Sequence, residues 1–424
     1  MSESPPLAEA SRVREGGARA PARPGLATRW LRSQVVSALA ARFAERIALV
    51  LPDGTRADAG PDARPIAATV HVRDDAFFGK LAFRGRMGLG ESYVDGDWDA
   101  DDLVRVLEAG ARGEAAARPG LLGRLRERLA PRRPENDRAG ARRHIHAHYD
   151  LGNDFFALWL DPSMTYSSAM FEREDETLET AQLRKLETMA AKADVRPGQH
   201  VLEIGCGWGA FAVHVARTRG CRVTALTISE AQREIATARV REAGLSHLVE
   251  VRLEDWRDVT GTYDRIVSIE MFEAVGRPWW DAYFEALDRL LAPGGRAALQ
   301  VISWNAPDFE GYARRRDWIE TYVFPGSLLG HRPTFDRILA ARTRLAIVEE
   351  EDLALSYART LRLWRENFVA RWPAVSRLGF DDRFRRTWEY YLAVCEAAFL
   401  ARRVSDLQLV LARPGEGAPE GVSR

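Results

Sequence analysis

The nine residues Val201-Leu-Glu-Ile-Gly-Cys-Gly-Trp-Gly209 constrain this chain more than any other segment. A short apolar run that ends in three closely spaced glycines reads as a buried strand turning sharply into a helix. Such a turn lets the backbone approach a ligand and aims a helix N-terminus at it. Many nucleotide sites share this logic, so the neighbouring residues must discriminate. The spacing Gly-x-Gly-x-Gly carries no Lys-Ser/Thr pair, which excludes a phosphate-binding loop. A dinucleotide site needs an acid about 20 residues beyond the glycines to hold the ribose. Here the second strand ends Ala225-Leu-Thr-Ile-Ser-Glu-Ala-Gln232, with Thr227 in that place. Glu203 before the turn and Thr227 after the second strand point instead to S-adenosylmethionine.

From Gln199 the pattern alternates between strand and helix. Strands are expected at His200 to Ile204, Arg222 to Leu226, Val249 to Leu253, Asp264 to Ile269 and Arg296 to Ile302. Helices are expected at Phe211 to Thr218, Glu230 to Ala243 and Trp280 to Leu291, the last followed by the turn Ala292-Pro-Gly-Gly295. This alternation implies an α/β, doubly wound Rossmann-like sheet, mostly parallel and covered on both faces. Two more strands are expected at Leu345 to Glu349 and Leu407 to Leu411. The Trp-, Phe- and Tyr-rich helical stretches over Asn305 to Arg342 and Tyr357 to Arg402 exceed what closing the sheet requires. They read as a pocket-forming helical cap.

Upstream, apolar residues at helical spacing predict a helix over Leu26 to Val50. A strand is expected at Ala67 to Arg73, another at Lys80 to Phe83, and a short helix at Asp101 to Glu108. These make a small α+β N-terminal domain over 26–117. Residues 1–25 and 414–424 read as tails, and 144–413 as the catalytic domain. Between them, Arg118 to Arg143 holds nine arginines against three acids, with a short helix expected at Leu121 to Leu129. It reads either as a solvated linker or as a basic patch facing an anionic membrane surface. The whole chain is balanced, at 61 basic and 61 acidic residues, which argues against nucleic acid as a partner. Cys206, Cys221 and Cys395 fit no metal spacing, and unpaired thiols suit a reducing, cytoplasmic setting. No apolar run approaches the ~20 residues of a spanning helix, so any membrane association is expected to be peripheral, at the inner face.

Several longer motifs then converge. They are Gly88-Leu-Gly-Glu-Ser-Tyr-Val-Asp-Gly96, His148-Tyr-Asp-Leu-Gly-Asn-Asp-Phe-Phe156, Met164-Thr-Tyr-Ser-Ser168, Leu226-Thr-Ile-Ser229 with Gln232, Met271-Phe-Glu-Ala-Val-Gly276 and Tyr322-Val-Phe-Pro-Gly326. With the glycine turn, the chain resembles the cyclopropane-fatty-acyl-phospholipid synthases from about Ala27 to Arg413. The resemblance implies a class I methyltransferase sheet with an acyl-binding cap. It also implies transfer of a methylene from S-adenosylmethionine to the cis double bond of an unsaturated phospholipid acyl chain, and a possible homodimer. Tyr166 and Ser167 would close over the methionine end, with His148 in the lid. Glu203, Gly205, Cys206, Gly207 and Gly209 would form the turn. Thr227, Ile228 and Gln232 would hold the ribose side, and Trp256 would lie by the adenine. By the residues alone, Trp256 could equally be core and Thr227 a helix cap.

Methyl transfer to an alkene leaves a carbocation, which aromatic faces stabilise without trapping it. The cap offers Trp318, Tyr322, Phe324, Tyr357, Trp364 and Phe368. A proton must then leave the new methyl group. In the family the resemblance implies a bound bicarbonate as base, held here by Ser168, Glu273, Gln300, the Ile302 amide and Tyr357. Ser168 and Gln300 depart from the family's Cys and His, although both can donate hydrogen bonds. A variant outcome is loss of a different proton, giving a methylene- or methyl-branched chain. Cys395 matches a cysteine once favoured as the active-site residue of the family; on a helix it is as readily a buried apolar residue.

Overall fold

A computed structural model describes residues 25–114, 133 and 151–415. The N-terminal tail up to residue 24, the basic segment apart from Arg133, the expected helix Leu121 to Leu129, His148 and the tail from residue 416 lie outside the described residues.

Two sheets organise the chain. The first has the order β2-β1-β3-β4, built from β1 (Arg46–Val50), β2 (Arg56–Ala59), β3 (Ile66–Val72) and β4 (Trp98–Ala100). It packs with α1 (Leu26–Ala40), α2 (Ala76–Val94) and α3 (Leu103–Glu114). Two expectations change here. The helix from Leu26 stops at Ala40, and Arg46–Val50 is a strand whose β-branched and aliphatic residues pair on both sides with β2 and β3. Lys80 to Phe83 is not a strand but lies in α2, where Phe77, Phe78 and Leu81 recur at helical spacing. That helix breaks at Gly85, whose φ of 57° and ψ of −131° only glycine adopts readily.

The second sheet has seven strands in the order β10-β11-β9-β8-β5-β6-β7. They are β5 (His200–Ile204), β6 (Arg222–Thr227), β7 (Val249–Leu253), β8 (Tyr263–Ile269), β9 (Leu291–Trp304), β10 (Ala346–Asp352) and β11 (Val404–Ala412). All neighbours are parallel except β11, which runs antiparallel to β9 and β10. Alternate residues feed opposite faces. Leu202 and Ile204 enter one apolar cluster and Val201 the other. The expected turn Ala292-Pro-Gly-Gly295 is an irregularity inside β9, where the register against β8 jumps between Tyr263–Leu291 and Arg265–Arg296.

The remaining helices are α4 (Asn153–Ala157), α5 (Leu178–Lys192), α6 (Ala210–Arg219), α7 (Glu230–Glu242), α8 (Trp280–Leu290), α9 (Phe309–Arg314), α10 (Trp318–Tyr322), α11 (Arg332–Arg342), α12 (Ala354–Ser376) and α13 (Asp382–Leu400). The first sheet does not have a core of its own. Phe77, Phe78 and Trp98 belong to the same apolar cluster as Trp364, Trp388 and Tyr391 of α12 and α13. Gly90 of α2 shows why the Gly88-Leu-Gly motif is needed. A Cβ there would sit 2.5 Å from the Trp318 ring of α10. The glycine lets the N-terminal layer and the cap close on one another.

Candidate active site

The β5 turn is built as its sequence suggests. Gly205, Gly207 and Gly209 hold φ values of +85°, +51° and +84°. The amides of Gly205 and Cys206 donate to the Leu226 carbonyl, at 3.1 and 2.7 Å, tying the turn to β6. A Cβ at Gly205 would lie 2.6 Å from the Met271 side chain, so the turn touches the segment that follows β8. Glu203 is buried at the end of β5, and its Oε2 has no hydrogen-bond partner among the described residues. Burial pushes its carboxyl up to about 8.

Thr227 donates its hydroxyl to Gln232 Oε1 at 2.9 Å and accepts the Ser229 amide at 3.1 Å. The cap of α7 is Ser229, not Thr227. Trp256 packs edge-on to Tyr283, with the Arg257 guanidinium 5.7 Å from its ring. Tyr166 and Tyr391 share a hydroxyl–hydroxyl hydrogen bond of 2.8 Å, and Ser167 Oγ accepts Lys185 Nζ at 2.5 Å. Glu203, Gly205, Thr227, Gln232, Trp256, Tyr166 and Ser167, with Ile228, Cys206 and Gly207, line one cavity. Gly209 does not. It faces α7, where a Cβ would lie 3.1 Å from that of Ala236, and serves helix packing.

The residues expected to hold an anion lie together around the end of β8, in an unexpected arrangement. Three of their donors converge on Glu270. Its Oε1 accepts the Ser168 amide at 2.7 Å and Gln300 Nε2 at 2.8 Å, and its Oε2 accepts the Tyr357 hydroxyl at 2.6 Å. The Ser168 hydroxyl is turned away, onto the Ala169 carbonyl. Gln300 also donates to Asp406 at 2.9 Å and accepts from Gln408 at 3.1 Å. Ser168 and Gln300 are fully buried behind Glu270, whereas Glu270, Glu273, Ile302 and Tyr357 reach the cavity wall. Glu273 Oε1 accepts the Ile302 amide at 2.5 Å, and its Oε2 has no partner among the described residues. Burial, then the nearby charge of Glu270, raises the Glu273 carboxyl to about 8. Burial also raises Glu270 and Asp406.

The cavity has a volume of about 1800 Å³. Small-molecule sites usually enclose about 300–1,000 Å³. It runs from the β5 turn past Trp318, Phe324, Tyr357 and Tyr391 to Trp30 and Phe83 on α1 and α2. These last two are 66 % and 75 % exposed, which marks the mouth. Of the other cap aromatics expected to face the reaction, Trp364 and Phe368 are wholly buried in the core, and Tyr322 bonds Glu91 of α2 at 2.7 Å. Cys395 is on another wall, on α13, where burial and the charge of Asp317 push its thiol up to about 12. Such a thiol is not a nucleophile at neutral pH.

Residues 136–409 match the family described as mycolic acid cyclopropane synthetase. The chain belongs to that family. A tuberculostearic acid methyltransferase of Mycobacterium tuberculosis is 40 % identical over 89 % of this chain and 92 % of its own length. The cyclopropane-fatty-acyl-phospholipid synthase of Escherichia coli K12 is 36 % identical over 82 % of this chain and 88 % of its own. Among solved structures, a mycolic acid cyclopropane synthase complexed with SAH and CTAB superposes with a TM-score of 0.59 at 31 % identity, over 64 % of this chain and 97 % of that one. The chain is thus an S-adenosylmethionine-dependent methyltransferase of the cyclopropane-fatty-acid synthase type.

Four functional candidates in this methyltransferase were not singled out from the sequence. Glu270 sits three residues before Glu273, and the pair of acids at a strand's carboxyl end was the available signal. Asp406 and Gln408 stand inside β11, every residue of which is buried; polar residues in such a strand are the signal there. Lys185 on α5 gave none, because a helical lysine is ordinarily solvated. It is fully buried, and burial lowers its ammonium to about 8.

Proposed function

We propose that this methyltransferase acts on the cis double bond of an unsaturated phospholipid acyl chain drawn from a membrane surface. The observation that carries the proposal is the single cavity that joins the β5 turn to an exposed apolar rim. The turn end is polar and shaped for a nucleoside-type ligand. The middle is aromatic, and the rim carries Trp30 and Phe83 beside Arg84 and Arg86. Aromatic side chains at the level of lipid headgroups, with basic neighbours, suit peripheral attachment. Among the described residues no helix is long and apolar enough to cross a membrane.

S-adenosylmethionine fits the turn end. The orphaned Glu203 Oε2 is a buried polar atom without a partner among the described residues, and Gly207 leaves open space where a side chain would project. When bound it supplies the methyl group. Tyr166 and Ser167 would cover its methionine end, Thr227 and Gln232 its ribose, and Trp256 its adenine. Water is excluded by the aromatic wall, which protects a developing carbocation from capture.

Bicarbonate does not fit. Each donor expected to hold it already has a partner: the Ser168 hydroxyl on the Ala169 carbonyl, Gln300 and Tyr357 on Glu270, and the Ile302 amide on Glu273. An added anion would meet two carboxyl groups instead of a ring of donors.

A second reading keeps the methyl transfer but ends in a methylene-branched chain. The likeness to a tuberculostearic acid methyltransferase favours it. Vesicles of an unsaturated phospholipid, incubated with the enzyme and S-adenosylmethionine, should gain one CH2 per modified chain. Proton NMR then separates a cyclopropane from a chain with an alkene retained. Methylation of a water-soluble acceptor with no activity on vesicles would sink the lipid proposal. Activity that is indifferent to salt on anionic vesicles would remove any electrostatic part for the basic segment 118–143.

A further inference from the structure

The mismatch at the bicarbonate position has a chemical consequence. Glu270 adopts a φ of +47°, a left-handed conformation that side chains other than glycine rarely take. The conformation directs its carboxylate into a cradle of three donors: the Ser168 amide, the Gln300 amide nitrogen and the Tyr357 hydroxyl. Two of these approach Oε1 and one approaches Oε2. A carboxylate offers about four lone-pair sites, so Oε2 retains one. The residue lines the cavity between Met271 and Tyr357, in the same wall as Glu273 and the Ile302 amide. The charge of Lys185, whose ammonium is held by Ser167, favours the ionised form of this carboxyl.

We propose that Glu270 is the built-in base of this enzyme, taking the proton that a free anion would otherwise accept. The inference rests on the alkene-methylating reading above. In the first step the sulfonium S–CH3 bond breaks, with its electron pair left on sulfur. The alkene π pair forms the new C–C bond, and the other alkene carbon becomes cationic. Glu270 Oε2 then takes a proton from the new methyl group. The pair released from that C–H bond closes the third side of a cyclopropane; in the branched outcome a hydride first shifts from the methyl-bearing carbon to its cationic neighbour, and the pair then forms the double bond to the new methylene carbon. Glu270 returns the proton to water when the product leaves. Ser168, Gln300 and Tyr357 act as positioning residues. They fix the carboxylate and leave only one lone pair facing the substrate. Because the base is covalently tethered, turnover should not depend on dissolved bicarbonate.

Glu270→Gly and Glu270→Gln test this together. Glycine is at ease at φ +47°, so the first variant removes the carboxylate without backbone cost and leaves the three donors around an empty seat. The wild-type enzyme, assayed for S-adenosylhomocysteine release on unsaturated phospholipid vesicles, should run equally fast in carbon-dioxide-free buffer and with added bicarbonate. Glu270→Gln should retain S-adenosylhomocysteine binding and lose roughly 10²–10⁴-fold in turnover, the usual contribution of a positioned base. Glu270→Gly should lose as much and recover on addition of bicarbonate or formate. A wild-type rate that collapses without bicarbonate overturns the proposal. So does a Glu270→Gln enzyme with normal turnover, or a folded Glu270→Gly enzyme that no small anion rescues. A thermal-shift arm is independent of the lipid. Bicarbonate or formate should stabilise Glu270→Gly and leave the wild type unmoved; stabilisation of the wild type refutes the idea even if the acceptor proves not to be a phospholipid. Absence of methyl transfer from the wild type to any vesicle, with the thermal-shift pattern intact, would instead overturn the substrate reading alone.

Discussion

Replacing Glu273 by glutamine should make the protein more stable in alkaline solution while impairing the enzyme. Its carboxyl is buried at the cavity wall, one oxygen on the Ile302 amide and the other without a partner among the described residues. Burial and the charge of Glu270 raise it from 4.5 to about 8. Between those values the folded chain holds a proton that the unfolded chain has released. This group therefore supports the fold fully below about pH 4.5, and its contribution falls as the pH rises through 8. Each pH unit of displacement corresponds to about 1.4 kcal/mol, so the full swing is about 5 kcal/mol. Glu273 keeps 9 % exposure and lines the cavity, and water there reduces the swing to about 3 kcal/mol. Glutamine keeps an oxygen for the Ile302 amide and never ionises. At pH 5 the two proteins should differ by less than about 1 kcal/mol, and at pH 9 the variant should lead by about 3 kcal/mol. With an unfolding entropy of about 2.1 cal/mol/K per residue over 424 residues, that lead is about 3–4 °C in Tm. Scanning calorimetry of both proteins from pH 5 to 9 gives the comparison. Parallel curves, or a variant that loses ground as the pH rises, would show that Glu273 is ionised in the folded protein and that its oxygen is not orphaned.

Other consequences are simpler to measure. Gly90→Ala places a methyl group 2.5 Å from the Trp318 ring and should cost about 1–3 kcal/mol in chemical denaturation; an unchanged midpoint would mean that α2 and α10 are not held together there. Asn153→Ala leaves the Trp208 indole N–H without the Oδ1 it meets at 2.8 Å, next to the β5 turn. It should weaken S-adenosylmethionine binding by about tenfold, the effect of one lost partner of about 1–3 kcal/mol, and titration calorimetry at wild-type affinity would contradict this. Because burial holds the Glu203 carboxyl near 8, a cationic ligand placed beside it should expel a proton at pH 7. Binding heats in buffers of different ionisation enthalpy should then differ by a fraction approaching one proton, and coincident heats would argue that Glu203 is already charged.

How much of this was legible in the sequence depended on which physical signal each residue carried. The central sheet was legible because β5 to β8 are apolar runs separated by glycine turns and capped helices, and periodicity reports that directly. Arg46–Val50 escaped because its residues continue the apolar spacing of α1, and only pairing with β2 and β3 makes them a strand. The glycines of the β5 turn were legible because their positive φ values demand that residue. Gly209 packs against Ala236 of α7 and does not line the cavity, and a glycine needed for helix packing looks the same in sequence as one needed for a ligand. The proton-handling residues were least legible. Ser168, Gln300 and Tyr357 were picked as donors, but what they donate to is set by the rotation of Glu270 through a left-handed backbone angle. No local pattern encodes that.

The cavity that begins between α1 and α2 and ends at Glu270 also works as a gauge. A lipid whose headgroup stays at the rim can present only the carbons that reach the aromatic midsection. On the proposed phospholipid reading, the distance from Trp30 and Phe83 to Glu270 would select which double bond is modified, and the chemistry at the bottom would need no means of counting methylenes. Position along the chain would then become a property of how deeply the N-terminal layer seats on the cap, and hence of the close approach at Gly90. Substrates with the double bond moved by a few carbons should be discriminated by rate, and a variant that widens the α2–α10 contact should shift the preferred position; equal rates across the series would show that the rim does not hold the headgroup.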